Sequence, residues 1–504
     1  MNPMRLGRYD ACVLLGSALF LSLNLWSLTT IPFLLGGDQQ VFWTNAQRLL
    51  QGEVLYRDFY EFTPPGADVV YLIAFKLFGS RIWAPNVVVL VLGTLLTWLC
   101  FRIARPIMRP ALAVLTAALF LVLDFGGWLD GTHHWFSVLS VLAATALLMP
   151  ERTRWRILTA GALCGLASFF TQTRGVAGAL GLLAFLFWDG FQARRSWRPW
   201  LQQCGLLLSA FVVTWWVLSG YFLFEAGISR LWYFQVVHVL HYVANDWNIL
   251  RIKQAEARAW PPLSVLNYLA VPIVYVVALW RAFRQPRLSD AREASSATEA
   301  SSATLLGLVG ASMFAEVALS PNPLRLECVA IPAIPLGVWL ATGPAGIRPR
   351  WRRCAIVAAW LGLIGLGTHR IWYRNAERSL IEQLPAGRIA MNATTARKLD
   401  WIARHTQPGQ YFCEASYASV YVPLRLRVPY FAALNDQTSP EFLDADIRQL
   451  EARRVRYILW SPLARPRFPK FEQFLSGHYQ LVQEFPGQEQ IWELHAPSGS
   501  PSGS

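Results

Sequence analysis

Apolar residues in this chain come in long runs parted by short polar gaps. The first run extends over 11–35, and ten more lie near 86–99, 111–123, 135–149, 157–170, 176–188, 201–222, 263–280, 305–319, 326–341 and 354–371. A straight membrane crossing takes about 20 apolar residues, so the longer runs read as spanning helices and the shorter ones as broken spans lining a cavity. No small-residue cleavage site closes the first run, which reads as a retained helix. The expected architecture is a polytopic α-helical membrane protein of about eleven spans, occupying residues 1–373.

Two stretches break this pattern. After Asp38, the residues Phe42, Ala46, Leu49 and Leu50 recur at helical spacing, with Gln40, Thr44, Asn45, Gln47 and Arg48 on the other face. The spacing predicts a helix lying flat on the bilayer, opened by Asp38 and stopped by Gly52, within a first loop covering 34–85. From about 374 the periodicity becomes that of a soluble domain, to 495. Helices are expected over 395–405 and 439–454 and strands over 410–415 and 456–460, with 479–485 and 490–494 pairing around Pro486-Gly487. These elements make a small α/β domain, followed by a disordered tail over 496–504. The polar, low-complexity segment 289–304 reads as a flexible loop.

Composition supports the membrane reading. With 54% hydrophobic and 15% charged residues and a mean hydropathy of +0.32, the chain is too apolar for a soluble protein of its size. Its net charge of +14 does not point to nucleic acid, because the arginines sort into alternate short loops. Arg102, Arg105 and Arg109 share one such loop, and Arg152, Arg154 and Arg156 share the next. Arg194, Arg195 and Arg198, then Arg281, Arg284, Arg287 and Arg292, and finally Arg348, Arg350, Arg352 and Arg353 continue the series. The positive-inside rule puts these loops and the N-terminus in the cytoplasm, and the 34–85 loop and C-terminal domain outside, in a cytoplasmic (inner) membrane. The seven cysteines show no metal-ligand spacing, and no glycine-rich phosphate loop joins a strand to a helix.

Ionisable residues in the sparse loops carry the candidate chemistry. Asp38 can cap the helix after it, or it can move a proton. Asp124 and Asp130 flank glycines and Trp128 in a loop that ends in His133-His134-Trp135. That loop reads either as an interfacial turn anchored by tryptophans or as the source of a second carboxylate facing Asp38. Two carboxylates at one site divide labour, one taking a proton and the other orienting the acceptor or holding a cation. Adjacent histidines on one helix do not both face one ion, so no metal is assigned, with a divalent cation at Asp130 left open. Arg174 and Arg325 break the arginine asymmetry at span ends. Each either snorkels to headgroups or meets a phosphate. The long loop 224–262 holds an aromatic segment over 231–245, with Trp232, Tyr233, His238, His241 and Tyr242. It reads as an interfacial helix or a lid, without a catalytic role.

The segment from Gly36 to Gly66, with Asp38, Tyr56-Arg57-Asp58-Phe59 and Pro64-Pro65-Gly66, resembles the first loop of the GT-C membrane glycosyltransferases. Protein O-mannosyltransferases and aminoarabinose transferases belong to this superfamily. The resemblance implies a polyprenyl-phosphate-linked sugar donor, with Asp38 as general base and Asp130 as the second acidic position. Leu324-Arg325 followed by Ile331-Pro332 and Ile334-Pro335 is similar to the late-helix pattern of these enzymes. It implies donor-phosphate ligands at Arg325 and Arg174, with Arg57 as a third. Asp58, Glu61 and His134 stand as substrate-binding or supporting residues. Relatives often carry a lysine before the paired prolines, where this chain has Thr63, so phosphate binding shifts to the arginines. The acceptor, whether glycan, lipid or protein, is not implied. Two rival readings are a transporter or lipid flippase and a non-enzymatic envelope-assembly subunit. The first calls for charges at mid-membrane and repeated halves, and the chain has no obvious internal repeat and no charges deep in most spans.

Overall fold

The computed structural model describes residues 6–193, 197–240, 262–284, 291–318, 323–343, 349–415, 417–434, 439–461 and 468–495. A helix stands at each of the expected span positions. These are α1 (Arg8–Leu25), α4 (Ala84–Ala104), α5 (Pro110–Leu119, continued by a π-turn over Phe120–Phe125 and by Gly126–Trp128), α6 (His133–Leu148) and α7 (Arg154–Phe170). They continue with α8 (Gln172–Gln192), α9 (Trp197–Ala226), α11 (Pro262–Arg284), α12 (Ala291–Val317), the pair α13 (Pro323–Ala330) and α14 (Ala333–Thr342), and α15 (Pro349–Glu377). Among the described residues six of these helices are long and apolar enough to cross a membrane, or seven if the bent pair counts as one span. The pair bends by 55° at Ile331-Pro332, where proline withholds a backbone donor.

Two boundaries differ from expectation. The first apolar run is helical only to Leu25. Trp26 then bridges to Pro32, and Asn86 donates to the carbonyls of Leu25 at 2.9 Å and Phe33 at 3.0 Å. The low-complexity stretch is not a loop where it is described. Residues from Ala291 onward belong to α12, as its alanine and glutamate content permits, and Arg152 reaches Ser301 from the neighbouring loop at 2.6 Å. Residues 241–261, 319–322 and the tail 496–504 lie outside the described residues, and with them His241, Tyr242 and the start of the segment before Arg325. The aromatic segment is helical where described, as α10 (Ile228–Trp232) and a π-turn over Tyr233–His238.

At the end of the bundle that carries Asp38, α2 (Gln39–Leu50) and α3 (Gly66–Phe78) fill the first loop. Gly66 begins α3 against α7. A Cβ there would lie 2.5 Å from the Phe170 ring and 2.6 Å from the Phe169 carbonyl oxygen, closer than any packed atoms sit. Gly66→Leu is expected to destabilise the chain by about 1–3 kcal/mol through overpacking, a loss that thermal unfolding in detergent reads directly. An unchanged midpoint would mean that α3 and α7 part without penalty.

The C-terminal domain begins with the hairpin β1 (Leu380–Leu384) and β2 (Gly387–Met391), followed by α16 (Ala393–His405). A sheet of order β3-β4-β6-β5 follows, made by β3 (Cys413–Glu414), β4 (Tyr457–Trp460), β5 (Tyr479–Glu484) and β6 (Gln490–Leu494). β3 runs parallel to β4 and the other pairs are antiparallel. Helices α17 (Tyr421–Leu424), α18 (Leu443–Ala452) and α19 (Pro469–His478) complete it. The 479–494 hairpin is the one expected. The β1–β2 hairpin and α19 carry too weak a periodicity to be read in advance.

This domain sits on the first loop, which changes the reading of α2. Nine of its residues are buried, polar ones included. Thr44 donates to the Ala418 carbonyl at 3.3 Å, Gln47 to that of Leu426 at 3.2 Å and Arg48 to that of Tyr430 at 3.1 Å. The face expected to meet water is therefore roofed by protein, and each of these polar groups exchanges water for a backbone carbonyl. Leu34 and Ala390 complete the junction, the Leu34 amide donating to the Ala390 carbonyl at 2.9 Å.

Candidate active site

Asp38 opens α2 by position, and its carbonyl accepts from the Val41 amide at 3.0 Å. Its side chain makes no capping hydrogen bond. The carboxylate is solvent-exposed, and Gln39 fixes where it stands. Gln39 Nε2 donates to the carbonyls of Gly36 at 2.9 Å and Leu129 at 3.2 Å, while its Oε1 accepts from the Gly131 amide at 3.0 Å. Tyr71 on α3 donates to the Gly131 carbonyl at 2.9 Å from beneath. Two loops nearly a hundred residues apart in sequence are so bound into one corner.

The corner pairs Asp38 with Asp130. Asp130 is buried, and its Oδ1 has no hydrogen-bond partner among the described residues. Burial first, and then the nearby Asp38 charge, push the Asp130 carboxyl up to about 8. At neutral pH Asp130 thus carries a proton and Asp38 faces a neutral neighbour. Because the folded value exceeds the unfolded one of about 3.9, this group stabilises the fold fully below pH 4 and ceases to do so as pH rises through 8. Asp130→Asn, a permanently neutral isostere, is expected to unfold at a higher temperature than the native chain at pH 9 but not at pH 5. Parallel pH profiles for the two proteins would refute the assignment.

α6 starts three residues after Asp130, and its first turn gathers the remaining groups. The rings of His133 and His134 lie 3.9 Å apart, and both Nδ1 atoms are buried without a partner among the described residues. The charges of Arg174 and Arg325 both act on these imidazoles, which brings two cations from α8 and α13 to the same place. Arg174 is fully buried. Its Nε donates to Glu316 at 2.6 Å, and Thr173 donates to the other oxygen of Glu316 at 2.7 Å. The Arg174 Nη1 and Nη2 atoms are buried with no partner among the described residues. Two N–H-bearing nitrogens of a buried guanidinium without acceptors form a ready socket for an anion.

Other expected site residues hold the loop itself. Arg57 is exposed and ion-paired to two carboxylates, Asp58 at 2.9 Å and Glu225 at 2.6 Å, whereas Arg174 meets one carboxylate through Nε and keeps both Nη atoms without a partner among the described residues. Asp58 also accepts from the Val54 amide at 2.8 Å. Glu61 is buried and accepts from Asn45 at 3.1 Å and from the amides of Phe62 at 2.9 Å and Thr63 at 3.0 Å. Its neighbour Asp68 is wholly buried, and burial followed by the Glu61 charge holds the Asp68 carboxyl well above the usual range. Asp68, Gln39 and Glu316 escaped the sequence reading. A glutamine after a cap, an acid in a helix's first turn and an acid ending an apolar run carry no mark of their distant partners. Among the described residues no group of three His, Cys, Asp or Glu side chains converges to hold a metal. Among the described residues no third such side chain joins Asp38 and Asp130, and the pair alone does not fit a metal site.

The helical bundle with an α/β domain seated on its first loop is similar in fold to membrane glycosyltransferases of known structure. The model of the dolichyl-phosphate-mannose-protein mannosyltransferase family matches residues 63–253. Among solved structures, the chain is similar to ArnT from Cupriavidus metallidurans bound to undecaprenyl phosphate, with 15% identity, a TM-score of 0.59 and 98% of each chain covered. It is also similar to the Archaeoglobus fulgidus oligosaccharyltransferase tethered to an acceptor peptide, with 13% identity and a TM-score of 0.51 over 97% of this chain and 74% of that one. The archaeal oligosaccharyltransferase AglB from Archaeoglobus fulgidus, in complex with an inhibitory peptide and a dolichol-phosphate, matches at 13% identity and a TM-score of 0.50, over 98% of this chain and 75% of that one. No curated protein matches the sequence itself. The resemblance carried by the first loop therefore extends to the fold of nearly the whole chain.

Proposed function

We propose that this protein is a glycosyltransferase that moves a sugar from a polyprenyl-phosphate donor to an acceptor at the outer face of the cytoplasmic membrane. The observation that carries the reading is the buried Arg174, whose two terminal nitrogens have no partner among the described residues and which, with Arg325, acts on the histidines that follow Asp130 in sequence. Arg174 and Arg325 would hold the donor phosphate, stabilising the negative charge that grows on it as the glycosidic bond breaks. Asp38 would take the proton from the attacking acceptor, and attack opposite the leaving phosphate inverts the anomeric carbon. Neutral Asp130 can donate a hydrogen bond without repelling the phosphate. Arg57 would have to release a carboxylate to join them, so we leave it out. The bound lipids in the related structures, undecaprenyl phosphate and dolichol-phosphate, support a lipid-phosphate donor. The arginine distribution supports a site at the outer face and a cytoplasmic N-terminus.

The test is turnover of the native chain in lipid nanodiscs with a panel of polyprenyl-phosphate-linked sugars, reading the released polyprenyl phosphate. Release from at least one donor is expected. No release from any donor, together with no affinity for undecaprenyl phosphate, would return the chain to the transporter or assembly readings.

A further inference from the structure

A cavity of about 330 Å³ opens where the C-terminal domain meets the segment leading to Asp38. Gly36 and Gly37, the two residues before Asp38, form part of one wall, and a Cβ built on either would meet nothing within 4 Å. The opposite wall belongs to the C-terminal domain, through Thr395, Lys398, Glu414 and Tyr417 among others. We propose that this cavity receives the acceptor, and that the acceptor end it takes is a neutral, hydroxyl-bearing saccharide. The proposal rests on Asp38 being the base.

Size, charge and surface chemistry each bear on the class. The volume is at the lower end of the range of about 300–1,000 Å³ typical of small-molecule sites, enough for one or two sugar rings but not for a folded peptide segment. Its charges cancel. Lys398 is ion-paired to Glu489 at 3.0 Å, and Arg378 donates to the Leu34 carbonyl at 3.0 Å. The remaining carboxylate, Glu414, accepts from Ser419 at 2.6 Å and from the Val420 amide at 3.0 Å. Two cations set against two carboxylates leave no surplus for a phosphorylated acceptor, whose charge would go uncompensated. Tyr417 is 66% exposed at the rim of this otherwise polar hollow. An aromatic face offered to solvent beside hydroxyl and amide groups suits a sugar ring, whose polarised C–H face stacks on the electron-rich ring while its hydroxyls bond to the walls.

The chemistry balances. The acceptor hydroxyl oxygen forms the new bond to the anomeric carbon, its proton passes to Asp38, and the old bond breaks with its electron pair going to the polyprenyl phosphate.

Saturation-transfer NMR on the full chain in nanodiscs would test this, with mannobiose, galactobiose and chitobiose as neutral probes, glucose 1-phosphate as the charged probe and an unmodified hexapeptide as the third class. At least one neutral disaccharide is expected to bind. Tyr417→Ala should weaken it about fivefold, the equivalent of about 1 kcal/mol of ring contact. Thr395→Trp, which fills the hollow, should abolish it. Undecaprenyl phosphate should bind both variants as it binds the native chain, which shows that they fold. Binding of the phosphorylated sugar or the peptide alone, of no probe at all, or of a disaccharide indifferent to both substitutions overturns the inference. Failure of the native chain to bind undecaprenyl phosphate would instead overturn the donor reading.

Discussion

Asp38→Asn is expected to lower sugar transfer by about 10²- to 10⁴-fold while leaving undecaprenyl phosphate affinity and thermal stability close to native. Asparagine has nearly the shape of the carboxylate but does not take the acceptor's proton at neutral pH. The side chain is exposed and makes no capping hydrogen bond, so little folding energy is at stake. Removing the charge also relieves Asp130, whose elevated value owes part of its rise to Asp38. The variant should therefore show a lower Asp130 pKa and a weaker loss of stability toward alkaline pH. Transfer at the native rate would rule out Asp38 as the base. A large drop in unfolding temperature would instead assign it a structural duty.

Arg174→Met is expected to weaken undecaprenyl phosphate binding about 10- to 100-fold, the worth of one or two charge-assisted hydrogen bonds. It should also destabilise the chain, because Glu316 loses the partner it holds at 2.6 Å. The two effects can be separated. With Glu316→Gln added, the stranded negative charge disappears and stability should return, but lipid affinity should not, since Arg174 is still missing. If affinity recovers with stability, Arg174 only holds α8 to α12 and the phosphate site lies elsewhere. Glu316→Gln alone should keep the affinity, because the two unpartnered nitrogens, and not the Nε facing Glu316, are the ones offered to the phosphate.

The membrane helices were open to reading because each must satisfy its backbone internally and bury apolar side chains over a fixed length, a demand written locally. Their ends were less so. α1 stops at Leu25, well short of the end of its apolar run, where Asn86 from another helix captures the carbonyls of Leu25 and Phe33. The amphipathic pattern of α2 was correct as a helix and misread as to surroundings. Polar residues on one face look the same in sequence whether water or the carbonyls of Ala418, Leu426 and Tyr430 will meet them.

By itself the sequence determined a polytopic helical chain, an acidic residue after the first helix and an α/β domain at the end. All of these are set by composition and by spacing within a few turns. Tertiary structure alone decided that Gln39 ties Gly36 to Gly131 and so sets Asp38 beside Asp130, that Glu316 takes one edge of Arg174 and leaves the other open, and that the C-terminal domain roofs the cavity beside Asp38. Such contacts join residues tens to hundreds of positions apart. Their energies depend on distance and burial, which no local pattern encodes.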